Sequence, residues 1–179
     1  MNPAPNLVLV GPMGAGKTLV GTHLAERLGL AFCDADHELE RRAGTSVREL
    51  FAREGEAGFR RRERALLAEL LAGSGRIVAT GGGAVLDPDN RRLLRTRGFV
   101  VWLQATVETQ LQRLAEDTAR PLLQQGDRAE VLARLARERA PLYAEVADLC
   151  LATDALPPAD AAEALAALLD RHWQRGEAA

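Results

Sequence analysis

The stretch Gly11-Pro12-Met13-Gly14-Ala15-Gly16-Lys17-Thr18 reads G-x-x-x-x-G-K-T and follows the apolar run Leu7-Val8-Leu9-Val10. Leu19, Val20, Leu24 and Leu28 recur behind it at helical spacing, so the setting is strand, glycine loop, helix. Glycines let consecutive backbone N–H groups turn inward onto phosphate oxygens, and the helix N-terminus adds partial positive charge. Lys17 reaches the β- and γ-phosphates in such a loop, and the Thr18 hydroxyl ligates Mg²⁺. Lys17 is also the sole lysine of the chain, all other basic side chains in the count of 23 being arginine. A compact ammonium at this one position is what close approach to phosphate requires.

Two further groups fall just past apolar strands, where open α/β sheets bind ligands. Asp34 and Asp36 follow Ala31–Cys33. Either is an ordinary helix cap. Beside a triphosphate, one carboxylate holds a metal-bound water and the other accepts the proton of an attacking hydroxyl. Gly81-Gly82-Gly83 follows Ile77-Val78-Ala79, and three glycines after a buried strand mark a close ligand approach to the backbone. Gly58-Phe59-Arg60-Arg61-Arg62-Glu63 opens a helix. Arg61 and Arg62 suit a solvated face, whereas one arginine near the ligand edge suits a bidentate grip on a carboxylate. Arg120, before Pro121, lies in a stretch of low apolar content over 116–127 that reads as a mobile lid able to fold a charge over phosphates. His23, His37 and His172 have no spacing that supports ligation or catalysis.

The elements needed to position these groups are strands at Asn6–Val10, Ala31–Cys33, Ile77–Ala79, Phe99–Leu103 and Leu149–Ala152. Between them the spacing predicts helices over Lys17–Leu28, Asp36–Arg42, Phe59–Leu71, Pro88–Leu94, a turn of helix capped by Thr106, and Ala129–Arg139. Ser46 and Glu49 form a capping box for a short helix through Ala52, Pro141 ends the helix before it, and a last helix runs from Pro157-Pro158 to near Trp173. Short apolar strands alternating with helices predict an α/β fold with a parallel sheet covered on both faces. At 179 residues, 47% hydrophobic and 27% charged, one soluble domain is expected over 1–179. A net charge of −2 gives no case for nucleic acid or an anionic membrane. Cys33 and Cys150 have no disulfide or metal spacing and read as buried free thiols. Without a basic leader or a long apolar window, a cytoplasmic enzyme is expected.

Together the motifs GPMGAGKT, D-A-D, G-F-R-x-x-E, the triple glycine, R-P-L-L at 120–123 and R-x-P-L-Y-x-E-V-A at 139–147 resemble the shikimate kinase family over nearly the whole chain. The resemblance implies a P-loop kinase domain with a five-stranded parallel sheet of order 2-3-1-4-5, a substrate-binding region over about 34–62 and a lid over about 115–128. It implies transfer of the ATP γ-phosphate to the 3-hydroxyl of shikimate, in aromatic amino acid biosynthesis, by a monomer. Asp36 then contacts the substrate hydroxyls and serves as base, Arg60 and Arg139 clamp the carboxylate, and Gly82 presents its backbone to the ring. Gly14, Ala15, Gly16, Lys17, Thr18 and Leu19 hold the ATP phosphates, Thr18 binds Mg²⁺, Asp34 supports it through water, Arg113 packs on adenine and Arg120 is the lid arginine.

The chain departs from that pattern in two places. Leu19 stands where many members have a second hydroxyl residue, so only its backbone can contact phosphate, and Ala152-Thr153-Asp154 has no second arginine for adenine. Another small P-loop kinase, for gluconate or a nucleoside monophosphate, would share the loop and lid without the Arg60–Arg139 clamp. A nucleotide-switched regulatory module, the rival from another class, predicts slow nucleotide hydrolysis and a partner surface; the guanine-reading N-K-x-D is absent, since the one lysine is at position 17.

Overall fold

The computed structural model describes residues 2–116 and 126–176. In chain order these form β1 (Asn2–Ala4), β2 (Asn6–Val10), α1 (Lys17–Leu28), β3 (Ala31–Asp34), α2 (Ala35–Ala43), α3 (Val47–Ala72) and β4 (Arg76–Ala79). A 3-10 turn at Ala84–Leu86 leads to α4 (Pro88–Arg97), β5 (Gly98–Gln104), α5 (Val107–Arg113), α6 (Arg128–Val146), β6 (Leu149–Ala152), α7 (Pro158–His172) and β7 (Trp173–Arg175).

All five residues of β2 are buried, as a central parallel strand with helices on both faces requires. It pairs in parallel with β4 on one side and β5 on the other, and the sheet runs β3-β4-β2-β5-β6. Counted from β2, that is the expected order 2-3-1-4-5. Side chains alternate across a strand, so β2 feeds two cores. Leu7 and Leu9 join Leu24 of α1 and Leu165 of α7 on one face. Val8 and Val10 join Leu67 and Leu71 of α3, Leu94 of α4 and Tyr143 of α6 on the other. A smaller cluster of Met13, Leu114, Val131, Leu132 and Leu135 ties the glycine loop to α5 and α6.

Short polar side chains start the helices where the sequence places them. The Asp34 carboxylate accepts from His37 N, Thr106 from Thr109 N, and Asp127 from Ala129 N and Glu130 N. Ser46 Oγ accepts from Glu49 N at 3.2 Å, but the Glu49 carboxylate lies 3.9 Å from Arg53, so half of the capping box forms.

The two helices predicted around 46–71 are present and run on from one another as α3, meeting at a break in helical geometry at Gly55 (φ 68, ψ 178). Two expectations are corrected. Pro141 does not end α6, which continues to Val146. One missing N–H is outweighed there by burial of Tyr143 and Val146 against the sheet. Neither cysteine is the buried thiol expected: Cys33 is half-buried and Cys150 exposed, on the two edge strands β3 and β6. In addition, β1 and β7 form a two-stranded parallel sheet, with Trp173 Nε1 donating to Ala4 O at 3.0 Å; strands of three residues carry no periodicity to read. Among the described residues, no helix is long and apolar enough to cross a membrane.

The bend at Gly55 turns the second half of α3, which carries Arg60, back over the carboxyl edge of the sheet. Its φ and ψ belong to a region open essentially to glycine alone. Gly55→Ala meets no neighbouring atom within 4 Å, so only backbone strain opposes it. We expect a loss of about 1–3 kcal/mol in urea unfolding, with any functional loss confined to ligands of Arg60.

Candidate active site

The glycine loop closes the carboxyl end of β2. Gly14 (φ 78) and Gly16 (φ 91) hold left-handed conformations, which turn the loop back on itself at the start of α1. Lys17 Nζ donates to Gly11 O at 2.8 Å and Pro12 O at 2.9 Å, so its ammonium lies across the loop mouth. Thr18 Oγ1 donates to Asp34 Oδ2 at 2.5 Å, while Asp34 Oδ1 caps α2 through His37 N. Asp34 is thus both a helix cap and the carboxylate partner of Thr18. Two oxygen donors beside a phosphate loop are the chemistry Mg²⁺ takes when water and phosphate complete its shell. Among the described residues there is no group of three or more His, Cys, Asp or Glu able to hold a metal by itself.

The back of the loop is fixed by side chains from distant elements. Thr153 Oγ1 donates to Ala15 O at 2.9 Å, and Arg113 donates to Gly14 O at 2.9 Å and to Thr153 O at 2.6 Å. Arg113 therefore braces the loop from α5. Asp154 accepts from the Thr106 amide and hydroxyl, both at 2.8 Å, and these bonds with Thr109 and Thr106 pull its carboxyl down to about 2. The side chain of Leu19 is 58% exposed.

Past β4, each residue of the glycine triplet makes room for a different charged group. A Cβ on Gly81 would lie 2.8 Å from Asp36 Oδ1 and 2.9 Å from Glu63 Oε1. On Gly82 it would lie 3.4 Å from Arg139 Nη1, and on Gly83 it would overlap the Arg60 guanidinium. None of the three has a positive φ, so space, not backbone conformation, favours glycine at 81 and 83, while a Cβ at 82 would make near-ordinary contacts. Asp36, Arg60, Gly82 and Arg139, read as one constellation, meet at this triplet.

The electrostatics of the cluster favour an anion. Arg139 is 6% exposed, makes no ion pair among the described residues, and its Nε has no hydrogen-bond partner. Arg60 Nη1 donates to Glu63 at 2.8 Å and Nη2 approaches Glu56 at 3.4 Å, but its Nε is likewise buried without a partner. Glu63 is 1% exposed, and burial pushes its carboxyl up to about 7 against the pull of Arg60. Near neutrality the Arg60 charge is therefore only partly balanced. Buried guanidinium groups with free donors are costly until an acceptor arrives.

Two participants went unread in the sequence. Glu63 ends the G-F-R-x-x-E run, one helical turn after Arg60, and that spacing was the available signal. Tyr143 follows Arg139 by one turn, and its hydroxyl donates to Gly82 O at 2.5 Å. A cavity of about 320 Å³ runs from Arg139 and Tyr143 past Pro12 and Met13 to Trp102. Arg120 and most of the expected lid lie outside the described residues.

The shikimate kinase family model matches residues 13–170. A shikimate kinase of Stenotrophomonas maltophilia is 56% identical over 98% of this chain and 97% of its own length. One from Xylella fastidiosa is 51% identical over the same shares. The solved structure of shikimate kinase from Acinetobacter baumannii in complex with shikimate superposes with a TM-score of 0.91 at 47% identity, covering 94% of both chains. A gluconokinase from Sinorhizobium meliloti, 18% identical with a TM-score of 0.53 over 95% of this chain and 97% of its own, shares the fold alone.

Burial of Glu63 sets a pH dependence. A carboxyl raised from 4.5 to about 7 holds its proton more tightly in the folded state. Its contribution to stability is full below the unfolded value and is lost as pH rises through about 7. The span is on the order of 3 kcal/mol. Glu63→Gln stays neutral, so urea unfolding at pH 5 and pH 8 should show a smaller loss at the higher pH than in the wild type. An equal loss in both proteins would mean Glu63 is ionised in the fold throughout.

Proposed function

This chain belongs to the shikimate kinase family, and we propose that it transfers the γ-phosphoryl group of ATP to the 3-hydroxyl of shikimate. The observation that carries this reading is Arg139, a buried guanidinium without an ion pair among the described residues, facing the same glycine triplet as Arg60. Two forked donors suit one planar carboxylate. Gluconate also carries a carboxylate and a nucleotide a phosphate, so the arginine pair alone fits any of these anions; what favours shikimate is the family match over residues 13–170, against 18% identity to a gluconokinase.

On this reading ATP places its phosphates on Gly14, Ala15, Gly16, Lys17, Thr18 and the Leu19 amide. Lys17 then exchanges the carbonyls of Gly11 and Pro12 for phosphate oxygens. Mg²⁺, held by Thr18 with Asp34 behind a water, supplies charge neutralisation of the phosphates when bound. Arg60 and Arg139 fix the shikimate carboxylate, and the Gly82 backbone meets the ring. Asp36, in the first turn of α2 beside Gly81, accepts the hydroxyl proton. The hydroxyl oxygen forms its bond to the γ-phosphorus as the bridge to the β-phosphate breaks, giving shikimate 3-phosphate and ADP. Arg113 lies against the adenine, and Arg120 brings a guanidinium to the transferring group.

The direct test is ADP release with shikimate, quinate, gluconate and AMP, in which only shikimate should turn over efficiently. Arg60→Ala and Arg139→Ala should each raise the shikimate KM roughly tenfold to a hundredfold, since a charged hydrogen bond contributes about 1.5–3 kcal/mol, while the ATP KM stays near wild type. A neutral carboxamide analogue should bind wild type poorly and lose little more on either substitution. If the amide separates mutants from wild type as sharply as shikimate does, the arginines do not grip the carboxylate.

Arg120→Ala separates the lid role from the clamp. It should lower kcat far more than it raises the shikimate KM, because transition-state charge is what the arginine meets. Matching losses in both would make it a substrate ligand.

A further inference from the structure

We propose that Tyr143 is a positioning residue of the reaction, whose hydroxyl locks the glycine triplet and thereby sets the spacing of Arg60 and Arg139. The proposal rests on the carboxylate-clamp reading above and extends it to a residue with no place in that reading.

The three glycine carbonyls are held in different ways. Gly81 O accepts from Ala84 N at 3.1 Å and Gly83 O from Leu86 N at 3.0 Å, both within the 3-10 turn that follows. Gly82 O accepts from the Tyr143 hydroxyl at 2.5 Å, 61 residues away. The middle peptide thus depends on α6, while its neighbours are held by their own turn. Glycine has the largest backbone freedom of any residue, so a triplet fixed at two points retains motion at the third. The carbonyl of Gly82 and the amide of Gly83 share one rigid peptide plane. Releasing the carbonyl therefore also moves the amide, and with it the surfaces on which both clamp guanidiniums rest. A Cβ at Gly82 would sit 3.4 Å from Arg139, 3.5 Å from Gly11 O and 3.6 Å from Met13 N. The peptide is accordingly a junction of clamp and phosphate loop.

Tyr143 is built for a fixed donor role. It is 2% exposed, and its ring lies 5.6 Å from that of Trp102. Burial pushes the phenol up to about 12, so the proton needed for the bond is present throughout the physiological range. Arg139 lies one helical turn before it on α6 and hydrogen-bonds the same hydroxyl, so the Tyr143 oxygen joins a clamp arginine to the Gly82 carbonyl.

Tyr143→Phe removes the hydroxyl and keeps the ring packing. The shikimate KM should rise about tenfold, the effect of one buried hydrogen bond, with the ATP KM changed less than about twofold. The ¹⁵N order parameters of Gly82 and Gly83 in the free protein should fall from about 0.85 toward 0.6. Unchanged shikimate KM with unchanged order parameters would overturn the proposal. So would a parallel rise of both KM values without added motion at the triplet, which is what general loosening of α6 produces. Tyr143→Leu, lacking ring and hydroxyl, should match Tyr143→Phe in KM pattern; a shikimate KM raised only in Tyr143→Leu would assign the effect to packing and overturn the hydroxyl's role. If wild type does not phosphorylate shikimate at all, the substrate reading fails, and the order parameters alone decide whether Tyr143 locks the triplet.

Discussion

A Cβ at position 81 or 83 would collide with charged side chains, and at 82 it would touch Arg139 at 3.4 Å; the charged half of the site is packed directly against this backbone. A single methyl at 81 would push apart Asp36 and Glu63, and at 83 it would displace Arg60. Asp36, Glu63, Arg60 and Arg139 are thereby brought against a bare backbone, from α2, α3 and α6. The elements of the opposite face need not be so exact. Their aliphatic side chains can exchange volume with modest loss.

The sheet explains how such distant residues meet. Parallel strands put all their carboxyl ends on one edge, so the loops after β2, β3 and β4 are neighbours although they begin at 11, 35 and 80. The amino edge is closed with equal care. Asn6, fully buried at the start of β2, donates to Gly73 O at 2.8 Å and Arg97 O at 3.2 Å, while Arg97 itself donates to Leu71 O and Ala72 O. These bonds satisfy the carbonyls that end α3 and α4. The long helix carrying Arg60 and Glu63 is therefore fixed at its far end and bent at Gly55 near its beginning.

What the sequence reveals is what local chemistry determines. The glycine loop, Ser46, Thr106 and Asp34 act through neighbours a few residues away, and the buried strands announce themselves by unbroken apolar runs. Pro141 misleads because its local cost is real but smaller than the burial of Tyr143 and Val146, which no local pattern weighs. Glu63 looks like any helical glutamate until α3 is packed on the triplet. Tyr143 gives still less notice, since its partner is a backbone carbonyl 61 residues away. The placement of Arg60 beside Arg139 was legible only through resemblance, as nothing in the spacing of residues 60 and 139 brings them together.

Charge in this cluster is arranged against folding and in favour of binding. Leaving a charge buried without its partner costs about 3–5 kcal/mol in proteins where one member of a pair is removed. Arg139 approaches that situation: it has no ion pair among the described residues and its Nε is unpartnered, although it hydrogen-bonds the Tyr143 hydroxyl and feels the Glu63 carboxyl, which burial pushes up to about 7. A better folded protein would place a fixed carboxylate against Arg139. It would also bind an incoming carboxylate worse, because the ligand would first have to displace the internal one. Glu63 lessens that conflict: burial raises its carboxyl, so it orients Arg60 through a 2.8 Å hydrogen bond while being a weaker counter-charge than an exposed carboxylate. The two arginines thus have unequal tasks, Arg60 oriented by Glu63 and Arg139 held ready on α6 beside Tyr143.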